Sequence, residues 1–283
     1  MAGRCPSATA RCVLTTLPSR GNSGRRQVES TSEARPPLTS ETLVTSPVGS
    51  TDLGLALITG GSRGLGAALC DEYRSRGWDV MEFSRSGSGV HIDLADTSDA
   101  AGVFAGVFDE LSTFAVDEIV VISNAGMLGP VGPIEHVAHE DIETHINVNV
   151  VSAILLARAF IAAFQDRDCP KTFVNISSGA AAKGHAGWSL YCASKAAVEN
   201  FVRAVALDQE RQPHPIRAIN VNPGIMDTAM QAEIRAARVE DFPERERFVG
   251  FKLGGRLSQP DVVAMRIADL VASRPEPGGT LGV

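Results

Sequence analysis

Basic excess charge, paired cysteines and long apolar runs are all missing from this chain of 283 residues, and tyrosine is scarce, with two copies. A net charge of -7 leaves no cationic surface to repay the release of counterions from phosphates, so nucleic acid is not an expected partner. The five cysteines (Cys5, Cys12, Cys70, Cys169, Cys192) are odd in number and form no C-x-x-C pair. That argues against a disulfide framework or a zinc knuckle and points to a reducing compartment. No stretch approaches the ~18 uninterrupted apolar residues of a membrane span, and the N-terminus lacks the apolar region of a secretory signal. The expectation is a soluble, cytoplasmic protein with no membrane contact. No repeat at a period of about 20–50 residues occurs, which excludes a solenoid.

What is present divides near residue 50. Ser, Thr, Pro and Gly crowd the first part, where Arg4, Arg11, Arg20, Arg25 and Arg26 precede the first acid, Glu29. Six of the 26 basic and three of the 33 acidic residues lie there, so the remainder carries -10. Residues 1–52 read as a disordered or targeting-like extension, and residues 53–283 as one folded domain. An organellar transit peptide shares the Arg-rich, acid-poor character and would make the location organellar. A wrongly assigned start codon explains it equally well, because no methionine occurs between Met1 and Met81.

From Leu55 the pattern changes. The run LALIT resembles a parallel strand buried on both faces, and similar runs recur at Val80–Ser84, Val90–Ile92, Glu118–Ser123, Thr172–Ile176, Ile216–Val221 and Thr280–Val283. Between them, Gly64–Arg76, Ile146–Phe164, Leu190–Glu210 and Asp261–Ala272 show helical spacing of apolar residues. Alternating strands and helices imply an α/β domain with a parallel sheet covered on both faces. Ligands of such sheets bind at the carboxyl ends of the strands.

Directly after the first strand comes TGGSRGLG, Thr59–Gly66. Its glycines at 60, 64 and 66 permit a tight turn and let a pyrophosphate approach the free N–H groups of a helix N-terminus. Thr59, Gly60, Ser62, Arg63, Gly64, Leu65 and Gly66 are therefore candidate cofactor contacts. Further on, YCASK sets Tyr191 four residues before Lys195, so the two project from one helix face. Bringing a phenol from its ordinary pKa to neutrality takes roughly 4 kcal/mol. One ammonium about 4 Å away at an effective dielectric near 20 supplies on the order of 4 kcal/mol.

The glycine-loop spacing, SNAG at Ser123–Gly126 and YCASK, in this order, resemble the short-chain dehydrogenase/reductases over Leu55–Val283. Within that family VNISSGAA, GWSLYCASK and PGIMDTAMQ look most like the sepiapterin reductase and benzil reductase branch. The resemblance implies a single Rossmann-type, doubly wound domain with a seven-stranded parallel sheet. It also implies reversible hydride transfer between a nicotinamide and a carbonyl carbon. Tyr191 would pass the proton, and Lys195 would lower its pKa and bond the nicotinamide ribose. Ser178, thirteen residues before the tyrosine, would hold the carbonyl oxygen; Ser177 is the alternative. Asn149 would hold a proton-relaying water, with Asn147 as the alternative.

Asn124, Ala125 and Gly126 would line the cofactor floor, and Pro223, Gly224 and Thr228 the nicotinamide end. Asp93 matches the family's adenine-contacting acid; an ordinary strand-end turn is its other reading. At the end of the second strand Ser84 and Arg85 stand where an acid would select NAD, and Arg63 offers a second guanidinium, so NADP(H) is the expected cofactor. Glu82 is the rival, as the ribose-binding acid of an NAD(H) enzyme. The expected function is NADP(H)-dependent reduction of a hydrophobic ketone or diketone. The alternative is an NADP(H)-binding sensor or scaffold without turnover.

Other patterns carry less. HVAHEDIETH, His136–His145, is not H-E-x-x-H and reads as a solvated helix face, so no metal is expected. Ser177-Ser178-Gly179 lacks the G-x-S-x-G elbow of a serine hydrolase. His185, in the segment leading to Tyr191, reads as a surface-loop histidine, with a place facing substrate as the alternative, and Trp188 as a pocket wall or a packing residue. Gly224–Ser258, with Met226, Met230, Phe242, Phe248 and Phe251, corresponds to the family's substrate-closing segment. Sepiapterin reductases anchor their pterin with an acid near the C-terminus, and GGTLGV has none, which favours an apolar carbonyl compound. Ile146–Phe164 and Leu190–Glu210 resemble the family's dimerising helices, so a homodimer or homotetramer is expected.

Overall fold

A computed structural model describes residues 54–283. The expectations for the N-terminal extension, and for the domain boundary at 52/53, lie outside the described residues. Seven strands form one all-parallel sheet in the order β3-β2-β1-β4-β5-β6-β7. They are β1 (Gly54–Thr59), β2 (Asp79–Ser84), β3 (Val90–His91), β4 (Glu118–Ser123), β5 (Lys171–Ile176), β6 (Arg217–Asn222) and β7 (Thr280–Gly282). Each matches an apolar run of the sequence.

The sheet is buried on both faces because successive side chains of a strand point to opposite sides. On one face Ala56, Ile58, Val120, Ile122, Val174 and Ile219 pack under α1 (Gly64–Ser75) and α8 (Pro260–Ala272), through Leu69, Val263 and Ile267. The other face is covered by α2 (Thr97–Leu111) and α4 (Ser152–Phe164), where Phe108, Phe160 and Phe164 form a ring cluster with centroids 5.9–6.3 Å apart. From β1 the chain winds outward to β3, then crosses back to β4 on the other side of β1. That reversal opens a crevice at the carboxyl ends of β1 and β4.

The sequence pattern started the fourth helix at Ile146, but helical structure begins at His139. α3 (His139–Ile146) runs through one wide π-turn (Asn147–Val151) into α4. In the wide turn the N–H of Ser152 reaches back to Asn147 O, and the Ser152 hydroxyl donates to Val148 O at 2.7 Å, satisfying a carbonyl that an α-turn would have paired. By length and composition alone the run His139–Phe164 would suffice to cross a membrane. Here it lays Ala153, Leu156, Ala157 and Phe160 into the core. The catalytic-type helix α5 (Ser189–Gln209) follows β5. After β6 come α6 (Ala229–Ala236) and α7 (Arg245–Leu253), whose segment is closed at its base by a parallel bridge between Met226 and Ser258.

Candidate active site

Over the carboxyl ends of the central strands lies a chamber of about 890 Å³. At one end its wall is the glycine loop. α1 begins without a side-chain cap and without an acid in its first turn, which leaves its N–H groups to an anion. A Cβ on Gly66 would stand 2.1 Å from Gly60 O, so only glycine lets the loop fold this tightly onto the helix. Gly60, Ser62, Arg63, Gly64, Leu65 and Gly66 all line the chamber. Thr59 stands behind the wall: its hydroxyl accepts from the N–H groups of Asn124 (3.0 Å) and Ala125 (3.1 Å) and so fixes the floor formed by Asn124, Ala125 and Gly126.

Beyond the loop, Ser84, Arg85 and Asp93 also line the chamber. Asp93 closes a turn as well, accepting from the N–H of Ala95 at 3.1 Å, so both readings of it coexist. Glu82 does not face the chamber. It is 5% exposed, and its carboxylate accepts from the Ser84 hydroxyl at 2.5 Å and from the Gly89 N–H at 3.2 Å. A Cβ on Gly87 would lie 2.0 Å from that carboxylate. The acid is thus clasped by the loop that presents Arg85.

At the opposite end the walls are side chains. Tyr191, Lys195 and Ser178 line the chamber, as do Pro223, Gly224 and Thr228. Ser178 accepts from the Ala180 N–H at 3.2 Å, leaving its own proton to donate. Its alternative, Ser177, also borders the chamber, but its hydroxyl is committed, donating to Glu199 at 2.6 Å. Lys195 donates to Ile176 O at 2.8 Å and lies 5.8 Å from the Tyr191 ring centre. The electrostatics differ from the expectation that the ammonium lowers the phenol. Burial pushes the Tyr191 phenol above its ordinary pKa, while the Ser178 hydroxyl pulls it back. Burial also brings Lys195 down to about 8, against the pull of Glu199. Both groups lie in a dry wall, where desolvation is the leading influence on each.

Asn149 is buried behind the wall: its amide donates to Met127 O and accepts from Met127 N, both at 2.8 Å. Asn147 instead donates to Ala95 O at 3.0 Å, on the cofactor side.

The substrate end is aromatic. Trp188, Phe248, Phe251, Met226 and Met230 face the chamber. Phe242, expected there, stacks behind Trp188 at 4.4 Å and 5° and is fully buried. Two further expectations need correction. His185 is no surface residue: its side chain is 7% exposed and its Nδ1 lies 2.7 Å from Glu244, which also pairs with Arg247. His145 is fully buried instead of lying on a solvated face, the one buried residue of α3. Sequence reasoning also missed Glu199 and Gln231. The first carries a signal, since it continues the Tyr191–Lys195 spacing by one more turn.

The short chain dehydrogenase family model matches residues 54–239. The chain belongs to that family. Benzil reductase ((S)-benzoin forming) of Bacillus subtilis (strain 168) is 34% identical over 232 residues, 79% of this chain and 96% of that one. Sepiapterin reductase of Xenopus tropicalis is 29% identical over 242 residues, covering 77% and 90%. A Beutenbergia cavernae protein solved with bound NADP at low occupancy superposes with a TM-score of 0.68 at 27% identity, covering 82% of this chain and 96% of that one. As a short-chain dehydrogenase the protein is an oxidoreductase that uses a nicotinamide cofactor, and the glycine cradle fits that group.

Proposed function

We propose that this short-chain dehydrogenase reduces the carbonyl of a hydrophobic ketone or diketone with NADPH. The observation that carries the reading is the meeting of Tyr191, Ser178 and Lys195 in one wall, between a glycine cradle and an aromatic chamber. Support for NADP(H) comes from Arg85 and Arg63 facing the chamber while Glu82, the rival ribose-binding acid, is held away from it. Arg63 and Arg85 would hold a 2′-phosphate there, with Asp93 left to the adenine. The structural neighbour solved with bound NADP also supports this choice.

When bound, the reduced nicotinamide supplies the hydride. Tyr191 donates its proton to the substrate oxygen as charge gathers there. Its high pKa in the closed wall keeps that proton in place until the oxygen becomes basic. Ser178 donates to the same oxygen and holds it in reach. Lys195 holds the ribose hydroxyls and keeps positive charge beneath the phenol. Trp188, Phe248 and Phe251 exclude water and bury an aryl or alkyl group. Two buried donors in this wall, Trp188 Nε1 and Gln231 Nε2, have no partner among the described residues, which suits a substrate carrying a second oxygen once the wall adjusts.

Asn149 belongs to the same unit, through a water between its amide and Lys195. The helices α4 and α5 pair with a second copy, giving a homodimer or homotetramer that light scattering would detect.

The test is NADPH consumption with aryl ketones, vicinal diketones and quinones, comparing the wild type with Tyr191→Phe. Turnover abolished by the substitution supports the reading, and turnover that survives it removes the mechanism. Tight NADPH binding without turnover of any carbonyl would make the protein a nucleotide-binding sensor instead.

A further inference from the structure

Glu82 is a buried acid with no part in the steps above, and three glycines crowd it. From the glycine loop, a Cβ on Gly61 would lie 2.3 Å from Glu82 Cγ and 2.8 Å from Cys70 Sγ. From the stretch that follows β2, a Cβ on Gly87 would lie 2.0 Å and 2.1 Å from the two carboxylate oxygens. A Cβ on Gly89 would lie 2.2 Å from Glu82 O. The acid thus packs directly against both loops and acts as a spacer between them. Those two loops carry Arg63 and Arg85.

The carboxylate is bonded as closely as it is packed. Its Oε1 accepts from the Ser84 hydroxyl at 2.5 Å, and its Oε2 accepts from the Gly89 N–H at 3.2 Å. Ser84 Oγ in turn accepts from the Gly87 N–H at 2.8 Å. The one hydroxyl proton of Ser84 is therefore committed to Glu82, and the serine serves as a strut rather than as a donor to phosphate. Arg85–Gly89 reads RSGSG and is exposed throughout. A stretch with two glycines and no apolar side chain does not hold its own shape, and the N–H groups of Gly87 and Gly89 tie this one to the clasp.

We propose that Glu82 is the positioning residue of the 2′-phosphate site, acting through Ser84, Gly87 and Gly89 to hold the loop on which Arg85 faces the chamber. The inference rests on the NADP(H) reading of this site. It gives the acid a role opposite to that of a second-strand acid that bonds the ribose and so excludes a 2′-phosphate. The sign of one substitution separates the two roles. An acid open to the ribose repels the phosphate, so its removal tightens phosphate binding. An acid that holds the loop leaves Arg85 unordered when it is removed, so phosphate binding weakens.

Calorimetric titration of the full chain with 2′,5′-ADP and with 5′-AMP, two fragments that differ by the 2′-phosphate, reads this directly. The wild type should bind 2′,5′-ADP at least about tenfold more tightly than 5′-AMP. Glu82→Ala should weaken 2′,5′-ADP roughly tenfold while 5′-AMP moves by less than about threefold, because loop order is lost and the adenine site is not. Glu82→Gln, whose amide can accept from Gly89 and donate to Ser84 Oγ, should stay within about threefold of the wild type. Ser84→Ala should weaken 2′,5′-ADP as Glu82→Ala does, and Ser84→Thr, which keeps the hydroxyl, should restore it. Glu82→Ala combined with Ser84→Ala should lose no more than the weaker single variant. KM for NADPH should follow the same order, with kcat returning at saturating cofactor.

Glu82→Ala or Ser84→Ala binding 2′,5′-ADP as tightly as the wild type, or additive losses in the double variant, would each overturn the proposal. So would a Glu82→Gln variant that binds 2′,5′-ADP clearly more tightly than the wild type, or as weakly as Glu82→Ala. If Glu82→Ala does not fold, the Gln variant and the two Ser84 variants decide. A wild type that binds both fragments equally well removes the NADP(H) reading and the proposal with it. A wild type that prefers 2′,5′-ADP, with variants that keep that preference, removes the proposal alone. If no carbonyl is turned over, the reductase reading fails and the fragment titrations still decide the role of Glu82.

Discussion

At the cofactor end of the chamber the walls are backbone, whereas at the substrate end they are side chains drawn from distant segments. The glycine loop, the Thr59-braced floor and the bare N-terminus of α1 come from short stretches whose residues touch their near neighbours or an adjacent strand. Trp188, Phe242, Phe248 and Phe251 meet only because α5 and the α6–α7 segment pack together. The first kind of wall is rigid and tied to one ligand shape. The second can change with single substitutions, so one cofactor can serve many carbonyl compounds.

The contrast can be broken most severely at the reacting helix. Tyr191→Phe should cut turnover by about 10²- to 10⁴-fold while NADPH binding persists, as fluorescence titration would read. Gly66→Ala should do the opposite. Its Cβ would meet Gly60 O at 2.1 Å, so NADPH binding should weaken by at least about tenfold, with activity returning at saturating cofactor. Arg85→Ala sharpens the comparison, since loss of a guanidinium at the 2′-phosphate should lower the NADPH-over-NADH preference by roughly 10-fold with no change in carbonyl selectivity. Trp188→Ala should shift relative kcat/KM among carbonyl substrates by a few fold to about tenfold, leaving KM for NADPH alone.

The smallest effect is one of pH. Lys195, at about 8, is charged below that pH and loses its proton above it, so kcat should fall on the alkaline side from near pH 8. Glu199 raises that pKa, hence Glu199→Gln should move the limb to lower pH. Thermal melting at the same pH values would separate this from unfolding. If the limb moves upward or stays fixed, Lys195 is not the titrating group.

How much of this was legible in the residues follows the same division. Strands β1 to β7 appear as apolar runs because a sheet buried on both faces needs little beyond them. Thr59–Gly66, Tyr191 and Lys195 were readable from spacing, since a tight turn and a single helix face are local geometry. The inward aim of His145 was not, because α3 is a short helix dominated by polar residues, of which His145 alone is buried. That Phe242 backs Trp188 while Phe248 and Phe251 face the chamber was not readable, because both layers are apolar. Nor could the raised phenol of Tyr191 be foreseen, because spacing gives the distance to Lys195 but not the dryness around it.

The wide turn also carries a consequence for how this stretch tolerates length changes. Each residue of an α-helix advances the direction of its side chain by about 100°. Because the wide turn holds one residue more than an ordinary α-turn, trimming one position from Asn147–Val151 would close it as an α-turn and keep both flanking stretches facing their partners, whereas the same trimming within Ser152–Phe164 would turn the Leu156–Phe160 stripe away.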